Sequence, residues 1–358
     1  MTRPAQATLD LSALSHNLSR VRQLAPGRRV MAVIKANAYG HGMVKAAKAM
    51  HDADAFAVAC LDEALILREA GIAQPLILLE GFFNAAEVPL VTKHQLIPVV
   101  HHEDQVDILE RNSVTAPLSI WIKVDSGMHR LGVAPEKIAE IWRRLNACGS
   151  VQILGFMTHL ANADYRNDPS TPQQVNNFTE AVEPYPGLRS IANSAAILTW
   201  PQTHGDWVRP GIMLYGVSPF SDSQGDTHGL KPVMSLYSRL IAVNHFKRGD
   251  RIGYGGEWEC PEDMPVGVVA IGYGDGYPRH AKNGTPVLVN DKRAPVIGRV
   301  SMDMICVDLR TQPQARCGDP VCLWGAALPV EEIARYASTI PYELLCRVTS
   351  RVHVSSEI

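Results

Sequence analysis

Short, continuous apolar runs alternate with longer amphipathic stretches from residue 29 to about residue 215. The runs are rich in β-branched residues, which is typical of strands that are buried on both faces. The stretches between them, such as 62–71 and 135–147, carry apolar residues at helical spacing. The eight runs are RVMAVIK (29–35), AFAVAC (55–60), PLILLEG (75–81), QLIPVV (95–100), LSIWIKVD (118–125), VQILGFMTH (151–159), LRSIANS (188–194) and DWVRP (206–210).

Eight strand–helix units in succession predict a parallel (β/α)8 barrel of the TIM type. An open, doubly wound parallel sheet is the alternative, because periodicity does not show whether a sheet closes. After the polar, Gly-rich segment 218–229, apolar runs are separated by turn residues and a helical segment follows near 330–347. We therefore expect an α/β chain in which a barrel at residues 11–222 precedes a β-rich domain at residues 223–358.

Length and composition fit this division into two domains. The chain has 358 residues, of which 46% are hydrophobic. A single hydrophobic core stops growing near roughly 250–300 residues, so a large domain and a smaller one are expected. The formal net charge is only −2, which gives no indication of a nucleic-acid partner.

The sequence also carries expectations about the compartment of the protein. Its first residues show no basic region followed by an apolar one, as a secretory signal would, and no apolar run approaches the ~20 residues of a membrane span. Seven cysteines occur without a CxxC pair. We expect free thiols in a reducing cytoplasm, with no disulfide framework and no metal site.

Candidate reactive side chains lie where the predicted barrel strands end. Catalytic groups of such barrels come from the carboxyl ends of the strands. Lys35 ends the first run, Arg130 follows the fifth, and His159 ends the sixth. Ser194 ends the seventh run, and the eighth runs into Arg209-Pro210-Gly211. One lysine, two arginines, a histidine and a serine on one rim predict a site for an anionic ligand and for amine chemistry.

Each of these residues also has an ordinary structural interpretation. Lys35 would be a solvated strand end, the arginines surface ion pairs, His159 a core histidine and Gly211 a turn residue. All these interpretations would have to hold at five strand ends together, so a functional site is favoured. A lysine that is desolvated at such a rim has a lowered pKa and can form a Schiff base.

Six motifs along the chain resemble, in order, those of the bacterial alanine racemase family. The similarity extends over essentially the whole chain. It implies a barrel that binds pyridoxal 5′-phosphate (PLP), a second β-domain joined by an N-terminal strand in residues 1–10, and a head-to-tail homodimer. The motifs are KANAYGHG (35–42), DSGMHRLG (125–132), WVRPGIMLYG (207–216), IGYGG (252–256), GYGDGYPR (272–279) and GRVSMDM (298–304).

The resemblance also implies roles for individual residues. Lys35 resembles the Schiff-base lysine and one of two catalytic bases, and Tyr254 resembles the other base, which the partner subunit delivers. Arg209 resembles the arginine that donates to the pyridine nitrogen, with His159 as its neighbour. The residues that resemble the phosphate cradle are Tyr39, Ser194, Gly211, Ile212 and Tyr342. Those that resemble the substrate pocket and its entrance are Arg130, Met302, Asp303 and Tyr273.

Lys123 has two possible interpretations, and Ser301 departs from the pattern of some relatives. Lys123 precedes Arg130 on the fifth strand; the family resemblance implies carbamylation by CO₂, whereas an ion pair with Asp125 or another strand-end acid is the alternative. Ser301 stands where some relatives carry a cysteine before the Met302 position. This serine is not needed for proton transfer, so we expect an altered pocket and retained activity.

Three other functions remain as alternatives. A racemase of broader specificity would act on serine or larger amino acids and would differ in the pocket volume near Tyr342 and Met302. A PLP-dependent decarboxylase shares the architecture, but its expected second-domain cysteine and acidic motifs are missing. A non-catalytic PLP-binding protein has no need of a second domain that carries Tyr254 and Met302. An alanine racemase that acts in peptidoglycan synthesis or in alanine catabolism is the favoured hypothesis.

Overall fold

The computed structural model describes residues 3–111 and 117–357 and divides them into two compact units. The barrel unit comprises Asn17–Ala38 and Gly42–Leu214. The sheet unit comprises the described residues up to His16, the short segment Tyr39–His41, and the chain from Tyr215 onward.

Eight parallel strands close into the barrel, so the predicted fold class is confirmed and the open sheet is excluded. The central strands are buried along most of their length, as the apolar runs predicted. Strand β1 (Gln6–Asp10) belongs to the sheet unit. The barrel strands are β2 (Arg29–Val33), β3 (Ala55–Val58), β4 (Leu76–Leu78), β5 (Leu96–Val100), β6 (Leu118–Lys123), β7 (Val151–Met157), β8 (Leu188–Ser190) and β9 (Trp207–Val208).

The helices between the strands bury one apolar face each. Helix α7 shows this spacing, with Ile138, Ile141 and Leu145 buried while the charged positions face outward. The helices of the chain are α1 (Leu11–Leu24), α2 (Lys35–Tyr39), α3 (Met43–Ala49), α4 (Leu61–Glu69), α5 (Val88–Lys93), α6 (Glu103–Arg111), α7 (Ile138–Ala147), α8 (Ser170–Val182), α9 (Ser194–Thr199), α10 (Val330–Tyr336) and α11 (Pro341–Cys346).

Seven of the eight barrel strands end earlier than the apolar runs of the sequence, and β5 ends together with its run. Strand β2 stops at Val33, so Lys35 lies beyond the strand and begins the segment named α2. In α2 the backbone is left-handed, with φ between 52° and 56° from Ala36 to Tyr39. The residues at the carboxyl ends thus leave the barrel to form loops.

The sheet unit is built on one eight-stranded sheet. Its order is β13-β16-β15-β14-β17-β10-β1-β18, and β13 pairs with β10 as well. Strand β1 runs antiparallel to β10 and parallel to β18. The strands that follow the barrel are β10 (Met234–Phe246), β11 (Arg251–Ile252), β12 (Trp258–Glu259), β13 (Met264–Val269), β14 (Pro286–Val289), β15 (Lys292–Ile297), β16 (Ile305–Asp308), β17 (Pro320–Trp324) and β18 (His353–Glu357).

Three further findings concern the described residues as a whole. No helix among them combines the length and the apolar character that crossing a bilayer requires. The seven cysteines all lie in the described ranges and are free thiols. Within residues 3–111 and 117–357, no group of three or more His, Cys, Asp or Glu side chains is arranged to hold a metal ion.

Candidate active site

Basic side chains converge at the carboxyl ends of the barrel strands. Burial, together with the nearby charges of Arg209, Arg130 and Lys35, lowers the pKa of Lys123, the last residue of β6, to about 8. Glu80, just beyond β4, acts in the opposite direction. Lys123 forms no ion pair with a described carboxylate; Asp125 pairs instead with His129 at 3.2 Å. The rim therefore holds an excess of positive charge, which suits an anionic ligand.

His159 lies in the middle of this charge and is neutral. Burial lowers its pKa well below the usual value, and Arg209, Lys123, Arg130 and Lys35 lower it in the same direction. A second proton on the imidazole would add one more positive charge to a desolvated cluster of cations. His159 is therefore a neutral hydrogen-bonding group near physiological pH, with one ring nitrogen that donates and one that accepts.

Arg209, just after β9, is held by the ends of its neighbouring strands. Its Nη1 donates to Ser190 Oγ at 2.7 Å, and its Nη2 donates to the carbonyl oxygens of Thr158 and, at 3.2 Å, Ile191. Burial lowers the pKa of the guanidinium to about 10, so the group stays cationic at neutral pH. Of its five N–H donors, two have no acceptor among the described residues. Arg209 is thus a fixed donor with capacity left for a ligand.

Lys35 is followed by an unusual turn. Four successive non-glycine residues from Ala36 to Tyr39 adopt positive φ, a conformation that costs roughly 1–2 kcal/mol per residue. Hydrogen bonds offset this cost: Ala36 N–H donates to Glu63 Oε1 at 2.7 Å, and Met43 N–H donates to Asn37 Oδ1 at 2.9 Å. The half-buried Lys35 is therefore attached to a locally strained but anchored backbone.

The loop after β6 folds back onto its own strand and carries Arg130. Asp125 Oδ1 accepts the backbone N–H groups of Gly127 at 3.1 Å and His129 at 2.9 Å. Gly132 has φ 142°, and a Cβ there would lie 2.4 Å from the backbone nitrogen of Asp125, so only glycine fits. The DSGMHRLG motif thus forms a tight loop that holds the exposed Arg130 beside Lys123.

Ser194, Gly211 and Ile212 meet at another point of the barrel unit. Ser194 Oγ accepts the backbone N–H of Gly211 at 2.9 Å, and that of Met213 lies 3.4 Å away. Ile212, which lies between Gly211 and Met213 in the sequence, is buried. The Ser194 oxygen is thus occupied as an acceptor, and its hydroxyl proton can donate to an anion such as phosphate.

The remaining two residues of the predicted phosphate cradle lie in the sheet unit. The rings of Tyr39 and Tyr342 are 5.9 Å apart, and Tyr39 stacks on Tyr215 at 4.7 Å. Burial raises the pKa of the Tyr39 phenol, with Tyr342 and Cys346 as smaller contributors. The hydroxyl therefore keeps its proton and can donate a hydrogen bond.

The second predicted base and the predicted entrance residues lie on exposed turns of the sheet unit. Tyr254 is 69% exposed, on a turn (Tyr254–Gly256) between β11 and β12. Met302 is 52% and Tyr273 38% exposed, although a soluble chain usually packs such large apolar side chains. Asp303 forms an ion pair with Arg351. These four residues belong to a different unit from Lys35, so neither unit alone contains the complete predicted set.

Comparison with known proteins gives a consistent result along the chain. The family description "Alanine racemase, N-terminal domain" matches residues 9–219, and "Alanine racemase, C-terminal domain" matches residues 233–356. The chain belongs to the alanine racemase family. Family membership makes it an enzyme of the isomerase class.

Individual relatives match over nearly their whole lengths. An alanine racemase of Nitrosococcus oceani is 56% identical over 97% of this chain and 98% of its own. One from Coxiella burnetii is 51% identical over 97% of each chain. The crystal structure of the biosynthetic alanine racemase of Pseudomonas aeruginosa superposes with a TM-score of 0.98 at 46% identity, covering 100% of both chains.

Sequence reasoning missed some groups that shape the site in the barrel unit. Ser190 and Thr158 hold Arg209, Glu63 anchors the turn after Lys35, and Glu80 opposes the positive charge at Lys123. A signal was available for three of them, because Glu80, Thr158 and Ser190 are polar residues within or at the end of apolar strand runs. Glu63 gave no such signal, since an acid in the first turn of a helix is ordinary.

Proposed function

We propose that this protein interconverts L-alanine and D-alanine with bound PLP, using Lys35 and Tyr254 of the partner subunit as the two bases. The observation that carries the proposal is the cluster of Lys35, Lys123, Arg130 and Arg209 around a neutral His159 at the barrel rim. A phosphorylated, phenolate-bearing cofactor and the carboxylate of an amino acid are anions that such a cluster can bind.

The residues of the barrel unit fit PLP. Ser194, Gly211 and Ile212 would hold its phosphate, together with Tyr39 and Tyr342 of the sheet unit, because protonated hydroxyls and a backbone N–H such as that of Ile212 can donate to a dianion. Arg209 has two N–H donors left for the pyridine nitrogen. Lys35 would bind the aldehyde covalently. When bound, PLP withdraws electrons from the α-carbon of an amino acid and so makes its α-proton easier to remove.

Two bases on opposite faces account for racemisation. A single base would have to cross the plane of the substrate to return a proton to the other face. Lys35 Nζ takes or returns the proton on one face, and Tyr254 Oη of the partner subunit does so on the other. A phenol has an ordinary pKa near 10, so Tyr254 needs neighbouring positive charge to act as a base near neutrality. The Arg209 guanidinium would supply this charge, and the neutral His159 would donate a hydrogen bond to the phenolate.

Arg209 would also favour racemisation over side reactions. A guanidinium only donates hydrogen bonds, so it leaves a facing ring nitrogen without a proton. Beside Arg209 the bound cofactor would withdraw electrons less strongly than one paired with a carboxylate, and Lys35 or Tyr254 would return a proton to the α-carbon before side reactions compete. The firm hold of Ser190 and Thr158 on Arg209 supports this role.

Lys123 would carry a carbamate in the working enzyme. The reaction with CO₂ needs the neutral amine and releases one proton, and a pKa of about 8 makes that amine available near neutrality. The negative carbamate would then replace one of the repelling cations and attract Arg130, which binds the substrate carboxylate. Well-resolved density for an unmodified lysine would contradict this part of the proposal.

A homodimer completes the proposed enzyme. Tyr254, Tyr273, Met302 and Asp303 would enter the site of the partner subunit and form the substrate pocket and its entrance. Their exposure supports this, because a turn that presents Tyr254 to solvent has no evident purpose within its own unit. The proposal places the enzyme in the cytoplasm. Since the two enantiomers have equal free energies, the same site serves peptidoglycan synthesis or alanine catabolism.

The proposal is tested by incubating the purified protein with PLP and L-alanine in D₂O. We expect loss of optical rotation together with deuterium at Cα, since each proton transfer exchanges with solvent. Lys35→Ala provides the matched control, which should show neither change. Optical rotation that stays constant in the wild-type protein with bound PLP would overturn the proposed function, and steady-state rates with serine would measure its substrate range.

A further inference from the structure

A fully buried carboxylate lies beneath the predicted entrance residue Tyr273. Asp275 ends the turn Tyr273–Asp275 and has no solvent exposure. Arg3 reaches it from the N-terminal end of the chain, with Nε 3.0 Å from Oδ1 and Nη2 2.6 Å from Oδ2. Oδ2 also accepts the backbone N–H of Gly272 at 3.0 Å. A buried carboxylate requires such partners, and the two-pronged arginine fixes its orientation.

The same arginine reaches the loop that carries Met302. Arg3 Nη2 donates to the carbonyl oxygen of Asp303 at 2.8 Å. Arg351, near the C-terminal end, donates from Nη2 to Asp303 Oδ1 at 2.5 Å, and its Nε lies 3.5 Å from Asp275 Oδ1. The hydrogen bond from Arg351 lowers the pKa of Asp303. Two arginines thus connect two acids on two separate loops.

Backbone contacts join these two loops directly. Tyr273 N–H donates to the carbonyl oxygen of Ser301 at 3.0 Å, and Gly274 N–H donates to that of Met302 at 2.8 Å. A Cβ on Gly272 would lie 2.3 Å from Ser301 O, so only glycine allows this approach. Movement of one loop is therefore transmitted to the other.

The two arginines come from opposite ends of the chain. Arg3 precedes β1 and Arg351 precedes β18, and these strands pair in parallel with Gln6 opposite His353. The pairing brings both guanidinium groups to the same two acids. The chain ends are thus tied to the loops that carry Tyr273 and Met302, whose side chains are 38% and 52% exposed.

We infer that Arg3, with Asp275 and Arg351, positions Tyr273 and Met302 and thereby sets the size of the side chain that the substrate pocket accepts. This inference rests on the proposed function, which puts these two residues at the pocket of the partner subunit. Without Arg3, the buried Asp275 loses its bidentate partner, and the two loops lose the link through Asp303 O. A displaced Met302 leaves Lys35 and the barrel rim unchanged, so binding and selectivity change more than the chemical step.

The experiment compares Arg3→Met with Arg293→Met in the holoenzyme. Arg293 makes a similar two-pronged ion pair with Glu332, at 2.6 and 2.9 Å, within the same unit. For Arg3→Met we expect KM for alanine to rise roughly tenfold with kcat changed less than about threefold, since misplacement of binding groups weakens substrate positioning. The kcat/KM for serine relative to alanine should rise about tenfold, the scale of discrimination by a small change in pocket volume.

Arg3→Lys should give intermediate values, because an ammonium can pair with Asp275 but cannot also reach Asp303 O in the same fork. If Arg3→Met does not fold, Arg351→Met answers the same question, since it breaks the pair with Asp303 and leaves Arg3 on Asp275. Unchanged serine-to-alanine selectivity in the variant that folds, or equal effects in Arg293→Met, would overturn the inference. A wild-type protein that does not racemise alanine would instead overturn the proposed function.

Discussion

The barrel rim and the exposed turns of the sheet unit carry the two halves of the proposed site, and they differ in how far their side chains are buried. At the rim, Arg209 is buried and hydrogen-bonded, and His159 is desolvated among cations. On the turns, Tyr254 and Met302 are mostly exposed. The rim is organised by its own unit, whereas the turns present apolar surface that another surface is expected to cover. Under the proposed function, one half of the site is therefore formed within the subunit, and the other half depends on assembly.

Removal of the reactive group at the rim should have the largest effect on activity. Lys35→Ala should lower the racemisation rate by at least about 10³-fold, because covalent binding and proton transfer are both lost. The hydrogen bonds that anchor the strained turn from Ala36 to Tyr39 do not involve the deleted amine. Racemisation rates and the visible absorbance of bound PLP measure the effect. A variant that retains wild-type turnover would contradict the assignment.

Removal of the phenol from the exposed turn should have a smaller and asymmetric effect. Tyr254→Phe should slow turnover by about 10²–10⁴-fold, and exchange of the α-proton with solvent should be retained only for the enantiomer whose α-proton faces Lys35, because only one of the two proton transfers loses its base. The free energy of unfolding of the subunit itself should change by less than about 0.5 kcal/mol, since the side chain is exposed within its own subunit. Racemisation rates and deuterium incorporation with each enantiomer measure the effects on activity, and urea unfolding measures the effect on stability. Equal losses of α-proton exchange from the two enantiomers would argue against a two-base mechanism.

A change of charge at Arg209 should alter the outcome of the reaction as well as its rate. Arg209→Glu places a carboxylate where the carbonyl oxygens of Thr158 and Ile191 accept hydrogen bonds, so we expect a loss of stability of about 3–5 kcal/mol. In the fraction that folds, the amount of pyridoxamine phosphate formed per racemisation event should rise on the order of tenfold. Chromatography of the released cofactor measures this product. An unchanged amount would refute the selectivity argument.

The smallest expected effect is a dependence of stability on pH at the rim. The pKa of Lys123 is lowered from 10.5 to about 8 in the folded protein, so between these values the unfolded chain binds more protons than the folded one. The free energy of unfolding contributed by this lysine should therefore rise as the pH increases from about 8 to about 10.5. Urea unfolding of the wild-type protein and of Lys123→Met in CO₂-free buffer isolates the contribution of this lysine to the free energy of unfolding. Identical pH profiles for the two proteins would contradict the burial of this amine among cations.

The two regions also differ in how far the sequence alone predicts them. The strands of the barrel were predicted because each buried strand is a continuous apolar run, and β5 (Leu96–Val100) lies wholly within its predicted run. The groups near the ends of those strands were predicted as a set. Their hydrogen bonds were not: Ser190 and Thr158 reach Arg209 because parallel strands align residues that are far apart in sequence.

Local propensity explains two further failures. Alanine, asparagine and tyrosine rarely adopt positive φ in succession, so nothing in KANAYGHG indicates a left-handed turn after Lys35. The contacts with Glu63 and Asn37 that hold it come from the folded loop. The hydrophobic pattern also did not predict the exposure of Tyr254, because such a pattern assigns an aromatic residue to a core and does not show which surface covers it.

A mixture of two inactive variants tests the shared site most directly. After subunit exchange between Lys35→Ala and Tyr254→Phe, half of the dimers should be mixed, and each mixed dimer should contain one site with both bases intact. We therefore predict recovery of about a quarter of wild-type racemase activity, as the symmetry of a dimer with shared sites requires. Native mass spectrometry would show that mixed dimers form. Mixed dimers without any gain in activity would contradict the claim that the lysine and the tyrosine of one site come from different subunits.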